Sequence, residues 1–143
     1  MSAGGSSSGS GEIREARGGM PRVVVGIDLL ERGRILRAYA RFGERFLRRV
    51  FTPTELEQAE GRIEWLVSRF AAKEACAKAL GTGIAAVSWQ DIEILRMPGG
   101  KPSIRLHGHA ADRAALLGLT AFDISISDTD SQTVAVVVGV GVI

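Results

Sequence analysis

The sequence has little of several things that mark other protein classes. It has one cysteine, Cys76, so no internal disulfide can form and a disulfide-stapled secreted scaffold is excluded. It has two histidines, His107 and His109, with no further ligands beside them, and they read as loop or helix-start residues rather than a metal centre. Aromatic residues are 6% of the chain, and Trp65 and Trp89 read as packing residues rather than stacking platforms. The longest apolar run, Val134 to Val138, is far too short to cross a bilayer, and no apolar leader core stands near the N-terminus. A large excess of one charge is missing too: 18 Lys and Arg stand against 16 Asp and Glu for a net charge of +2, so any electrostatic steering must come from where the charges sit. Together these absences place the chain in the cytosol, away from membranes.

What is present fits one globular domain. The 143 residues are 45% hydrophobic and 24% charged. Residues 1–19 are rich in Gly and Ser and cannot bury enough apolar surface to offset their ordering entropy, so they are expected to be a flexible tail. Residues 20–143 form the expected domain.

Order is expected from Arg22. Val23, Val25, Ile27 and Leu29 alternate with Val24, Gly26, Asp28 and Leu30, a strand apolar on both faces and therefore expected to be central. A helical region from Glu31 to Arg49 follows, with a possible break at Gly43. Thr52-Pro53-Thr54-Glu55 has capping-box spacing, with Thr52 as N-cap and Pro53 at the first helical position. A long helix is predicted from Glu64 to Leu80, stopped by Gly81. Strands at Asp91–Arg96 and Ser103–Leu106 would form a hairpin across Met97–Pro102. A short helix, Ala110–Leu117, precedes two more strands, Phe122–Ser127 and Thr133–Gly139, around the turn Thr129-Asp130-Ser131. Helices mixed with antiparallel hairpins make the class α+β, an antiparallel sheet with packed helices.

Two acids stand in unfavourable places. Asp28 is the only charge in a doubly apolar strand, where a carboxylate needs a partner or a cation. On the long helix, at about 100° per residue, Glu74 falls between Phe70 and Val67, inside the apolar arc. Alone, Asp28 reads as a buried salt bridge or a cap for the next helix, and Glu74 as an intrahelical pair with Lys78, one turn on. Together the two carboxylates form a natural site for Mg²⁺, which prefers oxygen ligands and leaves room for phosphate. Lys73 and Lys78 could reach phosphate oxygens, and the Gly81-Thr82-Gly83 loop lets a ligand approach the backbone closely. Gly99-Gly100-Lys101-Pro102 is not a phosphate loop, because Leu95 and Pro102 stand where a glycine and a Ser or Thr are needed. Cys76 reads as a small core residue.

At these residues the chain resembles the holo-acyl-carrier-protein synthases of the 4'-phosphopantetheinyl transferase family. The resemblance lies in Val25-Gly26-Ile27-Asp28-Leu29 with Glu31 and Arg34-Ile35, and in Arg69-Phe70-Ala71-Ala72-Lys73-Glu74-Ala75 with Lys78-Ala79 and Gly81-Thr82-Gly83-Ile84. Trp89 to Ile94, Gly100-Lys101-Pro102 and Asp123 to Ser127 match in order, so the likeness spans about Arg22 to Gly139. It implies that family's fold and transfer of phosphopantetheine from coenzyme A to a serine of apo acyl carrier protein, with release of 3',5'-ADP. Asp28 and Glu74 are the implied Mg²⁺ ligands. Glu74 and Lys78 are the implied catalytic groups. Lys73, Lys78, Gly81, Thr82 and Gly83 would hold the coenzyme. A homotrimer with sites between subunits is also implied.

The family often has histidine where Asp123 and Asp128 stand here, which puts the pyrophosphate contacts in question. Seven arginines lie between Leu30 and Val50. Arg34, Arg37, Arg41, Arg45 and Arg48 would line one face of a continuous helix. By resemblance Arg34, Arg41, Arg45 and Phe46 dock the acidic carrier protein. Two other readings stand beside this one: a weakened homologue that only binds carrier or coenzyme A, motivated by the two aspartates, and a basic nucleic-acid-binding module, which leaves Asp28 and Glu74 unexplained.

Overall fold

The computed structural model describes residues 19–143; the expected tail, apart from Gly19, lies outside the described residues. Strand β1 (Pro21–Glu31) leads directly into helix α1 (Arg32–Phe42). Gly43, at φ +61°, ends α1 and separates it from α2 (Glu44–Val50). Only glycine takes that conformation cheaply, so the break foreseen at Gly43 is real. It also splits the arginine stripe: Arg34, Arg37 and Arg41 ride on α1, and Arg45 and Arg48 on α2.

Helix α3 (Pro53–Ala59) starts at the foreseen capping box, with Thr52 and Glu55 exchanging side-chain-to-backbone bonds. The long helix α4 spans Ile63–Ala79. Two 3-10 turns, Ile84–Ala86 and Trp89–Asp91, lead to the hairpin β2 (Ile92–Arg96) and β3 (Pro102–Leu106). Helix α5 (Gly108–Leu116) and strands β4 (Leu119–Asp128) and β5 (Gln132–Val142) complete the α+β fold.

The larger sheet is antiparallel in the order β1-β5-β4. The central strand is therefore β5, and β1 is an edge, contrary to the expectation from its two apolar faces. The reason is that only one of those faces is covered. Val24, Gly26 and Leu30 turn inward, whereas Val23, Val25, Ile27 and Leu29 are between 58% and 69% exposed. Their register partners on β5 are Val140, Val138, Val136 and Val134, so the outer face is a continuous aliphatic patch.

The inner face rests on α4. Ala71, Ala72, Ala75, Cys76 and Ala77 are wholly buried and let the helix lie close to the sheet. The closest point is Gly26, where an added Cβ would sit 1.9 Å from the Ala75 carbonyl oxygen. A side chain there would push β1 off the helix. Asp28, two residues along on the same face of β1, is thereby held against the Glu74–Lys78 stretch of α4.

Candidate active site

The close approach at Gly26 brings Asp28 to Lys78. Lys78 Nζ donates to Asp28 Oδ1 at 3.2 Å and to the Ile27 carbonyl at 3.0 Å. The foreseen Glu74–Lys78 pair within the helix does not form; Lys78 turns to the strand instead, leaving Glu74 without an ion-pair partner among the described residues. The Asp28 side chain is 14% exposed and that of Lys78 51%, so the ammonium keeps a free side toward solvent.

Glu74 is half-buried. Burial pushes its carboxyl above the ordinary value, and repulsion from Asp28 pushes it further, against weaker attraction from Arg34 and Lys78. A carboxylate whose charge is opposed by burial and by a neighbouring carboxylate is the arrangement a cation relieves. Among the described residues no third His, Cys, Asp or Glu joins them. A two-carboxylate site suits Mg²⁺, which keeps waters and substrate phosphate as its other ligands.

The loop after α4 is open on its backbone side. Gly81 and Gly83 take φ +73° and +66°, and nothing lies within 4 Å of a Cβ built at Gly83. Thr82 Oγ1 is buried without a hydrogen-bond partner, an orphaned group that a ligand could satisfy. Arg113 of α5 donates from Nε to the Leu80 carbonyl at 3.0 Å and closes the helix end.

Lys73 does not belong to this site. Its side chain has no exposure, and its ammonium bonds Glu55 Oε1 at 2.8 Å, the Trp89 carbonyl at 3.0 Å and the Ile92 carbonyl. All three of its donors are used, so the expectation that Lys73 reaches a phosphate is corrected. Cys76 is also out of play, because burial pushes its thiol up to about 12.

Arg34, Arg41 and Arg45 are exposed. Arg34, Arg45 and Arg49 rim a groove of about 360 Å³ floored by Ile35, Phe46, Phe70 and Trp89. Phe70 and Trp89 stack at 4.5 Å between centroids, so Trp89 both packs and lines the groove. Arg41 lies apart, over Phe42. Asp123 is mostly exposed and pairs with Lys101 at 3.0 Å; Asp128 accepts from Thr133 Oγ1.

Sequence reasoning treated Arg69 only as part of a motif, and the structure gives it a position of its own. It is 7% exposed, with its guanidinium 3.6 Å from the Trp65 ring centroid and its Nε unpartnered. Burial lowers its pKa to about 10. It borders a cleft shared with Ser125 and Asp128, neighbours far off in sequence that no spacing rule would supply.

Comparison with known proteins agrees with the geometry. A family model described as the 4'-phosphopantetheinyl transferase superfamily matches residues 24–137. The holo-[acyl-carrier-protein] synthase of Herpetosiphon aurantiacus is 44% identical over 126 residues, 83% of this chain and 99% of the relative. The crystal structure of the Helicobacter pylori holo-[acyl-carrier-protein] synthase in complex with coenzyme A is 33% identical, with TM-score 0.73 over 80% of this chain and 98% of that one. The Plasmodium yoelii acyl carrier protein synthase with ADP bound is 30% identical, with TM-score 0.78 over 86% and 98%. A chain that matches in family, in sequence over nearly a relative's whole length, and in fold belongs to the 4'-phosphopantetheinyl transferase superfamily, among the holo-acyl-carrier-protein synthases.

Proposed function

We infer that this enzyme transfers 4'-phosphopantetheine from coenzyme A to a serine of apo acyl carrier protein and releases 3',5'-ADP. The observation that carries this reading is the facing of Asp28 and Glu74 across β1 and α4, with the half-exposed Lys78 ammonium beside them. Lys78 is anchored to Asp28 and the Ile27 carbonyl, and its free side can bind a phosphoryl oxygen as negative charge builds there. Glu74 takes the proton of the attacking serine hydroxyl. Its carboxylate is not paired with Lys78, which leaves it able to accept that proton. Asp28 and Glu74 would hold Mg²⁺, which when bound supplies charge neutralisation on the diphosphate. Gly81, Thr82 and Gly83 offer bare backbone and an unpartnered hydroxyl to the nucleotide.

The arginine-rimmed groove of α1 and α2 fits an acidic amphipathic helix: apolar floor, cationic rim. Arg34, Arg45 and Phe46 are assigned to carrier docking on that ground; Arg41, outside the groove lining, joins them only by the family resemblance. The open aliphatic face of β1 and β5 calls for cover, and we assign it to the contact between copies in a homotrimer. No described helix is long and apolar enough to cross a membrane; the buried, reduced Cys76 and the use of coenzyme A fit the cytosol and supply of carriers for fatty acid synthesis.

The binding-only reading rested on Asp123 and Asp128 standing where the family often has histidine. Asp123 pairs with Lys101 and Asp128 accepts from Thr133 Oγ1, so each carboxylate has a partner within the chain. The deciding experiment is intact-mass spectrometry of apo acyl carrier protein incubated with the enzyme, coenzyme A and Mg²⁺. A gain of one phosphopantetheine, abolished by EDTA, is expected. A folded protein that adds nothing to several acidic carriers would return the binding-only reading.

A further inference from the structure

The buried Lys73–Glu55 pair is not needed by the chemistry just described, and its position is unusual. A lysine and a glutamate, both with no side-chain exposure, meet at 2.8 Å in the middle of the core. Ion pairs placed so deep seldom add stability over apolar side chains of similar size. What they add is direction, because an ammonium satisfies its donors in only one setting.

Here the donors and acceptors are all used. Lys73 bonds Glu55, the Trp89 carbonyl and the Ile92 carbonyl. Glu55 Oε1 also accepts the Thr52 amide at 2.8 Å, and its Oε2 accepts the Ile94 amide at 2.9 Å. Four segments thus converge on one helical position: the start of α3, the 3-10 turn at Trp89, strand β2 and α4. Around that position α4 presents Ala71, Ala72, Ala75, Cys76 and Ala77. Side chains so small interlock little, so along this stretch the rotation of the helix is set less by apolar packing than it is near Leu66, Val67 and Phe70. The next residue along is Glu74, about 100° round the helix.

We propose that Lys73 and Glu55 are positioning residues: their pair sets the rotation of α4, and so holds the Glu74 carboxylate opposite Asp28. This rests on the reading of Glu74 as a site residue. Gly26 fixes how close β1 comes to α4, and the Lys73–Glu55 pair fixes which way α4 faces there. A rotation that moves Glu74 by about 1 Å is enough to cost on the order of 10²-fold in rate.

The test uses the double variant Lys73→Met/Glu55→Gln, which removes both charges, with Glu55→Gln alone as a second variant; its single carbonyl oxygen can accept from the Thr52 amide or the Ile94 amide, not both. The expected result for the double variant is a cooperative melt, kcat reduced by at least about 10-fold, and KM for coenzyme A within about 3-fold of the parent. Mn²⁺ affinity, read by electron paramagnetic resonance without substrate, should weaken in parallel. A folded double variant with parental kcat and Mn²⁺ affinity overturns the proposal. If the double variant does not fold, Glu55→Gln decides: it leaves Lys73 buried and unpaired and should melt lower, but at a temperature well below its melt a lowered kcat with KM for coenzyme A kept supports positioning, and a parental kcat refutes it. Glu74→Gln run alongside separates the two claims. If it retains full activity, the site reading itself fails; if it is inactive while the folded pair variants behave as parent, only the positioning role fails.

Discussion

Lys73 and Lys78 stand on the same helix and do opposite work. Lys73 is wholly enclosed, with each donor matched to an acceptor; Lys78 is 51% exposed and matched to one carboxylate and one carbonyl. A saturated ammonium is part of the fold. An ammonium with a free side is available to a ligand. Residue type and motif position do not separate the two; donor accounting does.

Removing each lysine in turn is the strongest way to break that comparison. Lys73→Met leaves Glu55 buried and unpaired and should cost about 3–5 kcal/mol of stability, read from urea unfolding. Lys78→Met leaves the largely buried Asp28 without its partner and should cost about 1–2 kcal/mol, less than Lys73→Met because the Lys78 side is open to solvent. Its larger effect should fall on turnover, by about 10²-fold in kcat. If the two variants lose equal stability, the division between them is wrong.

A smaller effect is expected at Gly26, which sharpens the comparison by testing how the Lys78 side is held. Gly26→Ala places a Cβ 1.9 Å from the Ala75 carbonyl oxygen, so β1 must retreat and take Asp28 with it. A cost of about 1–3 kcal/mol is expected, with weaker Mn²⁺ binding in the fraction that stays folded. Unchanged metal binding would mean that Asp28 does not depend on this contact.

How much of this could be read from the chain alone follows from the range of each interaction. Local devices were legible: the Thr52–Glu55 capping box, the break at Gly43, the end of α4 before Gly81 and the hairpin across Met97–Pro102. So was the suspicion that falls on Asp28 and Glu74, because a carboxylate among apolar residues is costly wherever the chain folds. What could not be read was the partner. Lys73 finds Glu55, Lys78 finds Asp28 and Asp123 finds Lys101, each across a long stretch of chain. The edge position of β1 was hidden for a related reason. Apolar alternation on two faces says that both are to be covered, not that the same chain covers them.

The smallest effect lies at the rim of the Lys73 cage. Thr52, which shares the capping box with Glu55, donates from Oγ1 to Glu93 Oε2 at 2.6 Å, and His107 Nε2 lies 3.1 Å from Glu93 Oε1. Desolvation works against the Glu93 carboxylate, but the hydrogen bonds from Thr52 and His107 outweigh it, and the pKa is held below the ordinary value. A depressed acid contributes stability that is complete above its unfolded pKa and disappears as pH falls through its folded one. Glu93→Gln cannot titrate. It should therefore be less stable than the parent at about pH 6, by about 1 kcal/mol, with the gap closing toward about pH 3. Urea midpoints of both proteins across that range measure it. A gap that stays constant would show that Glu93 carries no folding-linked charge, and that the polar chain from His107 toward Lys73 is held together by shape alone.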